Sequence, residues 1–365
     1  MDRITTLISE AQDHFEEQGY QQTETLLNRA YVLDHKHPDV LWALISLYHE
    51  TKDLHKSQLF IEQLLEIDPE NEEVLFLKAN CLYDLDILDK AAKVYDELIA
   101  NNPLHSMAYG MRGALYYKKD DFNAALDDLN QALQLDKKNF LAYFQRASLF
   151  VEQADFKEAL SDLNKCLKYQ KGFPDALYQK ARVLHAMGRN RAALKYIDKA
   201  LPSLETASEH YLMRAIILKQ LKKLPKALQD LNTALEIDPQ SVGVLYTRAM
   251  LHAQLSSFKL AIEDLDAAMA TGQPEQLAYL YNGYADICKK QGQYELALEF
   301  VEMANAADAD FCYAYGTKAE IYAHLQQDAN FLDSLKIAVD KGFDPQDLEK
   351  SLLKRYKRNQ RFKEL

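Results

Sequence analysis

One plan returns every 34 residues along this chain, and that period constrains the fold more than any local propensity. Residues 106–139 carry Arg112-Gly113, then Tyr116-Tyr117, a polar Lys119-Asp120-Asp121 turn, and a second apolar run closing on Leu135-Asp136. Residues 140–173 repeat it with Arg146-Ala147, Asp155-Phe156 and Asp162-Leu163-Asn164. Residues 208–241 repeat it with Arg214-Ala215, Asp230-Leu231-Asn232 and Asp238-Pro239. A fixed period of this size implies a stacked array in which each unit buries its apolar face against its neighbours. The period therefore releases 365 residues from the usual division into two or three domains.

Counting from Ile4 gives units at 4–37, 38–71, 72–105, 106–139, 140–173, 174–207, 208–241 and 242–275. Gln276 and Leu277 are extra, and two further units follow at 278–311 and 312–345. Position 8 of a unit is small throughout (Ala11, Ala79, Gly113, Ala147, Ala181, Ala215, Ala249, Ala285, Ala319) except for Ile45. Position 20 is alanine from Ala91 through Ala297. Small residues at fixed helical phases let two helices approach closely, and both half-units show the three- and four-residue apolar spacing of a helix. Asp68-Pro69, Asn102-Pro103 and Asp238-Pro239 end second helices, because proline cannot continue them. Pro202 predicts an early end to the second helix of the sixth unit. Thr271-Gly272-Gln273-Pro274 with the two extra residues predicts a loosened joint; both places are read as static kinks.

These features resemble the tetratricopeptide repeat family over residues 4 to about 345. The resemblance implies an all-α fold, an α-solenoid forming a right-handed superhelix of about ten helical hairpins whose first helices line the concave face. Residues 346–365 leave the period, and within them Leu348, Leu352 and Tyr356 keep helical spacing. This segment resembles a C-terminal capping helix. It is also basic, with Lys350, Lys354, Arg355, Lys357, Arg358, Arg361 and Lys363.

Arginine stands at position 7 in four units, as Arg112, Arg146, Arg214 and Arg248, and those same units carry aspartate at position 23, as Asp128, Asp162, Asp230 and Asp264. The sixth unit has Lys180 with Tyr196 and the ninth has Tyr284 with Phe300, so the two members change together. The repeats act as their own comparison and predict ion pairs between helices rather than a ladder for an anionic ligand.

Positions 2, 5, 9 and 12 of a first helix form one stripe, and by resemblance it faces the groove. Position 5 supplies Trp42, Phe76, Phe144, Tyr178 and Tyr246, and position 12 supplies Tyr83 and Tyr117. Glu50 and Asp84, with Glu16, Asp39 and Glu73, make the first three units acidic at positions 2 and 13. An aromatic stripe beside carboxylates suits an extended or helical segment bearing apolar and basic side chains. The partner-binding groove is therefore expected at Trp42, Phe76, Tyr83, Tyr117, Phe144, Tyr178, Tyr246, Glu50 and Asp84.

Net charge is −12, which weighs against nucleic acid as the main partner, since phosphate binding needs a basic face. Cys81, Cys166, Cys288 and Cys312 lack metal-ligand spacing. The sequence holds no phosphate-binding glycine loop, metalloprotease helix or nucleophile elbow. No cofactor and no metal are expected, and the expected role is that of a non-catalytic cytoplasmic scaffold or adaptor for a protein or peptide, without a membrane span. The second reading is a factor associated with RNA or an anionic membrane through the basic C-terminal tail.

Overall fold

The computed structural model describes residues 3–204 and 207–364. Every regular element among them is helical, and there is no strand. The chain divides into two compact units, Met1–Gln179 and Lys180–Leu365.

The first unit stacks five hairpins. They are α1 (Arg3–Glu16) with α2 (Tyr20–Leu33), α3 (Pro38–Glu50) with α4 (Leu54–Ile67), and α5 (Glu72–Asp84) with α6 (Leu88–Asn101). Then come α7 (Ser106–Lys118) with α8 (Phe122–Leu135), and α9 (Phe140–Glu152) with α10 (Phe156–Tyr169). The boundary between the units falls inside α11 (Pro174–Ala186).

The second unit continues with α12 (Asn190–Ala200), α13 (Ser208–Gln220) with α14 (Leu224–Ile237), and α15 (Val242–Gln254) with α16 (Phe258–Thr271). It ends with α17 (Leu277–Lys290) and α18 (Tyr294–Ala307), α19 (Cys312–His324) and α20 (Asp328–Asp340), and two short helices, α21 (Lys350–Tyr356) and α22 (Gln360–Lys363). Within each unit the helices of a hairpin pack on each other and on the neighbouring hairpin, for example α7 on α8 and α8 on α9, or α15 on α16 and α16 on α17, the arrangement of an α-solenoid.

Local chemistry explains the boundaries. The side chains of Asp53, Asn71, Asp121 and Asn139 cap α4, α5, α8 and α9 by accepting from backbone N–H groups of the first turn. Pro38, Pro174 and Pro225 lie at helix starts, where a missing N–H costs little. Each turn inside a hairpin is closed by one residue at positive φ. Gly188 and Gly292 do this without strain, whereas Gln18, Lys52, Asp86, Asp120, Ala154, Lys222, Ser256 and Gln326 do it against their own Cβ.

Alanines at the two small positions are fully buried, for example Ala147 with Ala159 and Ala215 with Ala227. Gly113 goes further, because a Cβ there would lie 2.9 Å from Leu129 Cγ. The second helix before Pro202 is short, and a 3-10 turn at Leu201–Ser203 follows it. The expected loosened joint is corrected. Pro274–Gln276 forms one 3-10 turn that absorbs the extra residues, and Leu245, Leu265, Ala268 and Leu280 remain in one buried cluster across it. At the C-terminal end Leu348, Leu352 and Tyr356 pack into a core with Phe331 and Leu335.

Candidate protein-docking site

The arginine ladder is structural. Arg146 grips Asp162 through Nε at 2.6 Å and Nη2 at 2.9 Å. Arg112–Asp128, Arg214–Asp230 and Arg248–Asp264 share the same two-bond fork. Each guanidinium also reaches back to the second helix of the preceding hairpin, Arg112 to Asp96, Arg146 to Asn130, Arg214 to Asp198 and Arg248 to Asn232. Sequence reading missed this third contact, although the signal was there: the acceptor always lies 16 residues before the arginine, as the aspartate lies 16 after it. Lys78–Glu62 and Lys318–Glu302 follow the same backward spacing. These side chains tie consecutive hairpins.

What remains for a partner is the other face of the first helices. In the first two hairpins it opens a cleft of about 410 Å³ lined by Ile8, Gln12 and Phe15 of α1 and by Asp39, Trp42 and Ser46 of α3. All six stand at positions 2, 5, 9 or 12. The floor is Ala11, Thr23 and Leu27, and Ser46 folds its hydroxyl onto the Trp42 carbonyl at 3.0 Å, which keeps the wall above the cleft apolar.

The other expected site residues are more engaged. Phe76 packs against Tyr95 and, with centroids 5.3 Å apart, against His105. Phe144 meets the edge of Phe173 at 5.2 Å. In both cases the residue 29 places after position 5 packs on it, and where position 5 is Gly110 the residue at that spacing, Asn139, is again its neighbour. Sequence reading took these rings as groove-facing and missed the covering loop residue. Tyr83 lies beneath Lys118, whose ammonium is 5.1 Å from the ring centre, and burial holds the Tyr83 hydroxyl above its ordinary pKa. Tyr117 packs near Phe122 and its hydroxyl donates to Glu152 at 3.4 Å. Tyr178 is half-buried on α11. Tyr246, in the second unit, lies against Tyr279 with centroids 3.6 Å apart.

Glu16, Glu50, Glu73 and Asp84 are exposed and make no ion pair among the described residues. Asp39 has only His37, at 4.0 Å. The first three hairpins thus offer uncompensated carboxylates beside the Trp42 cleft. The basic tail is partly committed: Arg355 donates to the Ala323 carbonyl and pairs with Asp328, and Arg361 pairs with Asp333. Burial pushes the Cys81 thiol up to about 11 and the Cys166 thiol to about 12, which makes them packing residues rather than nucleophiles. No helix among the described residues is long and apolar enough to cross a membrane.

Family models described as tetratricopeptide repeat match residues 40–71, 57–106, 76–140, 150–216 and 209–241, together more than half of the chain. Among solved structures, a tetratricopeptide repeat protein from Parabacteroides merdae is similar with a TM-score of 0.52 at 21% identity, over 73% of this chain and 98% of its own. A monomeric IFIT1 mutant with Gppp-AAAA is similar with a TM-score of 0.51 at 12% identity, over 92% of this chain and 90% of its own. PilF of Pseudomonas aeruginosa is similar with a TM-score of 0.50 at 17% identity, over 61% of this chain and 96% of its own. At these identities the likeness is one of fold. Comparison with curated proteins returns no match.

Proposed function

The chain belongs to the tetratricopeptide repeat family, and from that premise we propose that it is a cytoplasmic protein-interaction scaffold holding a partner segment on the first-helix face of its N-terminal unit. The observation that carries this reading is the cleft between α1 and α3. It is an apolar recess of about 410 Å³ with Trp42, Phe15 and Ile8 as walls, in a face where Glu16, Glu50, Glu73 and Asp84 make no ion pair among the described residues. A buried aromatic anchor supplies affinity and the surrounding charge selects and steers the ligand. The segment it fits carries one large apolar side chain for the cleft and basic residues for Glu16, Glu50, Glu73 and Asp84. The role is one of binding.

The test is selection of short peptides from a displayed random library on the purified chain. Enrichment of sequences pairing an aromatic or leucine with lysines or arginines, lost on Phe15→Ala with Trp42→Ala, supports the reading. Enrichment that survives the double substitution refutes the assigned site. Enrichment of RNA or anionic vesicles through residues 350–363 would favour the tail instead.

A further inference from the structure

Charge is spread unevenly along this chain. Residues 180–226, the opening of the second unit, hold eleven Lys or Arg and three Asp or Glu, a local charge of +8 in a chain of net −12. Arg214 is committed to Asp230 and Asp198, and Lys180 lies over Tyr196. Arg189, Arg191, Lys195, Lys222, Lys223 and Lys226 are exposed and make no ion pair among the described residues. The fold gathers five of these on one edge. Arg189 and Arg191, at the turn that opens α12, line a recess of about 410 Å³ together with Leu221 of the α13–α14 turn. A second recess of about 430 Å³ runs from Lys223 and Lys226 at the start of α14 to Arg214 of α13 and Asp198 of α12. Leu221 lines one recess and Lys223 the other, so the two adjoin across that turn.

The other hairpins show that these cations are not there for stability. Arg189 and Lys223 occupy position 16, the residue before a second helix, where Asp53 and Asp121 cap the equivalent helices. Neither Arg189 nor Lys223 supplies a capping bond. A cation there also meets the positive end of the helix dipole. The array has a stabilising residue for this position, and two consecutive hairpins depart from it toward the same charge. A local rule broken twice in one direction, at a cost, points to a use for that charge.

The kind of partner follows from what the edge lacks. Among the described residues, no large apolar side chain between Tyr169 and Ile237 is exposed. A protein partner finds no apolar anchor there, and a single strand finds no ring on which to stack a base. An anionic membrane finds no side chain to insert. A duplex needs none of these, because cations that replace its counterions supply the affinity. We propose that the edge bearing Arg189, Arg191, Lys222, Lys223 and Lys226 docks the sugar–phosphate backbone of a nucleic-acid duplex without reading its sequence. Two adjoining recesses suit a row of anions better than a single one. The net charge of −12, which weighs against nucleic acid for the chain as a whole, averages over this edge. The inference is independent of the Trp42 cleft, which belongs to the first unit.

The experiment is fluorescence anisotropy on the full chain with short labelled duplexes of DNA and of RNA, titrated at several salt concentrations. Saturable binding to either duplex, unaltered by scrambling its sequence, is expected. For DNA, five engaged cations predict a slope of log affinity on log salt of about −4 to −5. The deciding variant is Arg189→Asp with Lys223→Asp. It restores the cap found at Asp53 and Asp121, so the thermal midpoint should rise while duplex affinity falls about tenfold or more. Binding lost from a more stable protein is not lost through unfolding. If the midpoint falls instead, Lys222→Gln with Lys226→Gln, which alters no cap, decides by the same loss of affinity. The proposal is overturned if these variants bind the duplex unchanged, or if Lys357→Glu with Arg358→Glu in the tail abolishes binding in their place. It is also overturned if single strands, acidic peptides or anionic vesicles bind as tightly with the same dependence on Arg189 and Lys223.

Discussion

The Lys180 ammonium lies 3.9 Å above the ring of Tyr196, at the two places of a hairpin where Arg146 and Asp162 form their fork. In another hairpin the same places hold the stacked rings of Tyr284 and Phe300, 5.1 Å apart. The contact is retained while its chemistry changes from ion pair to cation–π to aromatic stacking. Tyr196→Ala should therefore lower stability by about 1–2 kcal/mol, and a double-mutant cycle with Lys180→Ala should return a coupling of about 0.5–2 kcal/mol. Urea unfolding followed by helical signal measures both; strict additivity would refute the contact.

Arg146→Ala should cost about 3 kcal/mol, because it leaves Asp162, which is 2% exposed, with only Lys165 at 3.4 Å in place of the two-bond fork, and cuts the tie to Asn130. Adding Asp162→Ala should recover part of the loss. A double variant as unstable as the sum of the singles would show that the two charges do not depend on each other.

Ala154→Gly should stabilise the first unit by about 1 kcal/mol. Ala154 holds φ at 59°, a region that costs a residue with a Cβ about 1–2 kcal/mol and glycine almost nothing, less the entropy that glycine adds to the unfolded chain. Denaturant midpoints compare the two proteins directly, and an unchanged or lowered midpoint would contradict the account of these turns.

Acid should unfold the second unit through Asp286. Burial raises its pKa, but Lys289, Lys290 and Lys219 together outweigh burial and hold it below its ordinary 3.8. A depressed folded-state pKa contributes stability that is full above the unfolded value of 3.8 and lost as pH falls through the folded value. Asp286→Asn should therefore be less stable at neutral pH and show a flatter acid limb below pH 4. A wild-type acid limb retained in Asp286→Asn would assign acid sensitivity to other carboxylates.

The all-α array was legible because a strict period repeats the same core positions, and each copy checks the others. The Arg–Asp forks were legible for the same reason, since both members vanish together where Lys180 or Tyr284 replaces the arginine. The cover over Phe76 and Phe144 was not legible, because His105, Asn139 and Phe173 vary in chemistry and share only their spacing. The tight joint before α17 was misread, since Gly272 and Pro274 signal a break in a helix but say nothing of Leu280 packing across it. The cleft at Trp42 needed the structure, because Ile8 and Phe15 become its walls only when two hairpins stand side by side.

Trp42 is the only tryptophan of the chain, so its emission reports on the candidate cleft without a label. Titrating the protein with basic peptides that carry one aromatic or leucine side chain should give a saturable change in that emission. The change should be abolished by Phe15→Ala and absent with acidic peptides. An emission that stays constant while such peptides bind, or a change that persists in Phe15→Ala, would place the partner elsewhere and contradict the central claim.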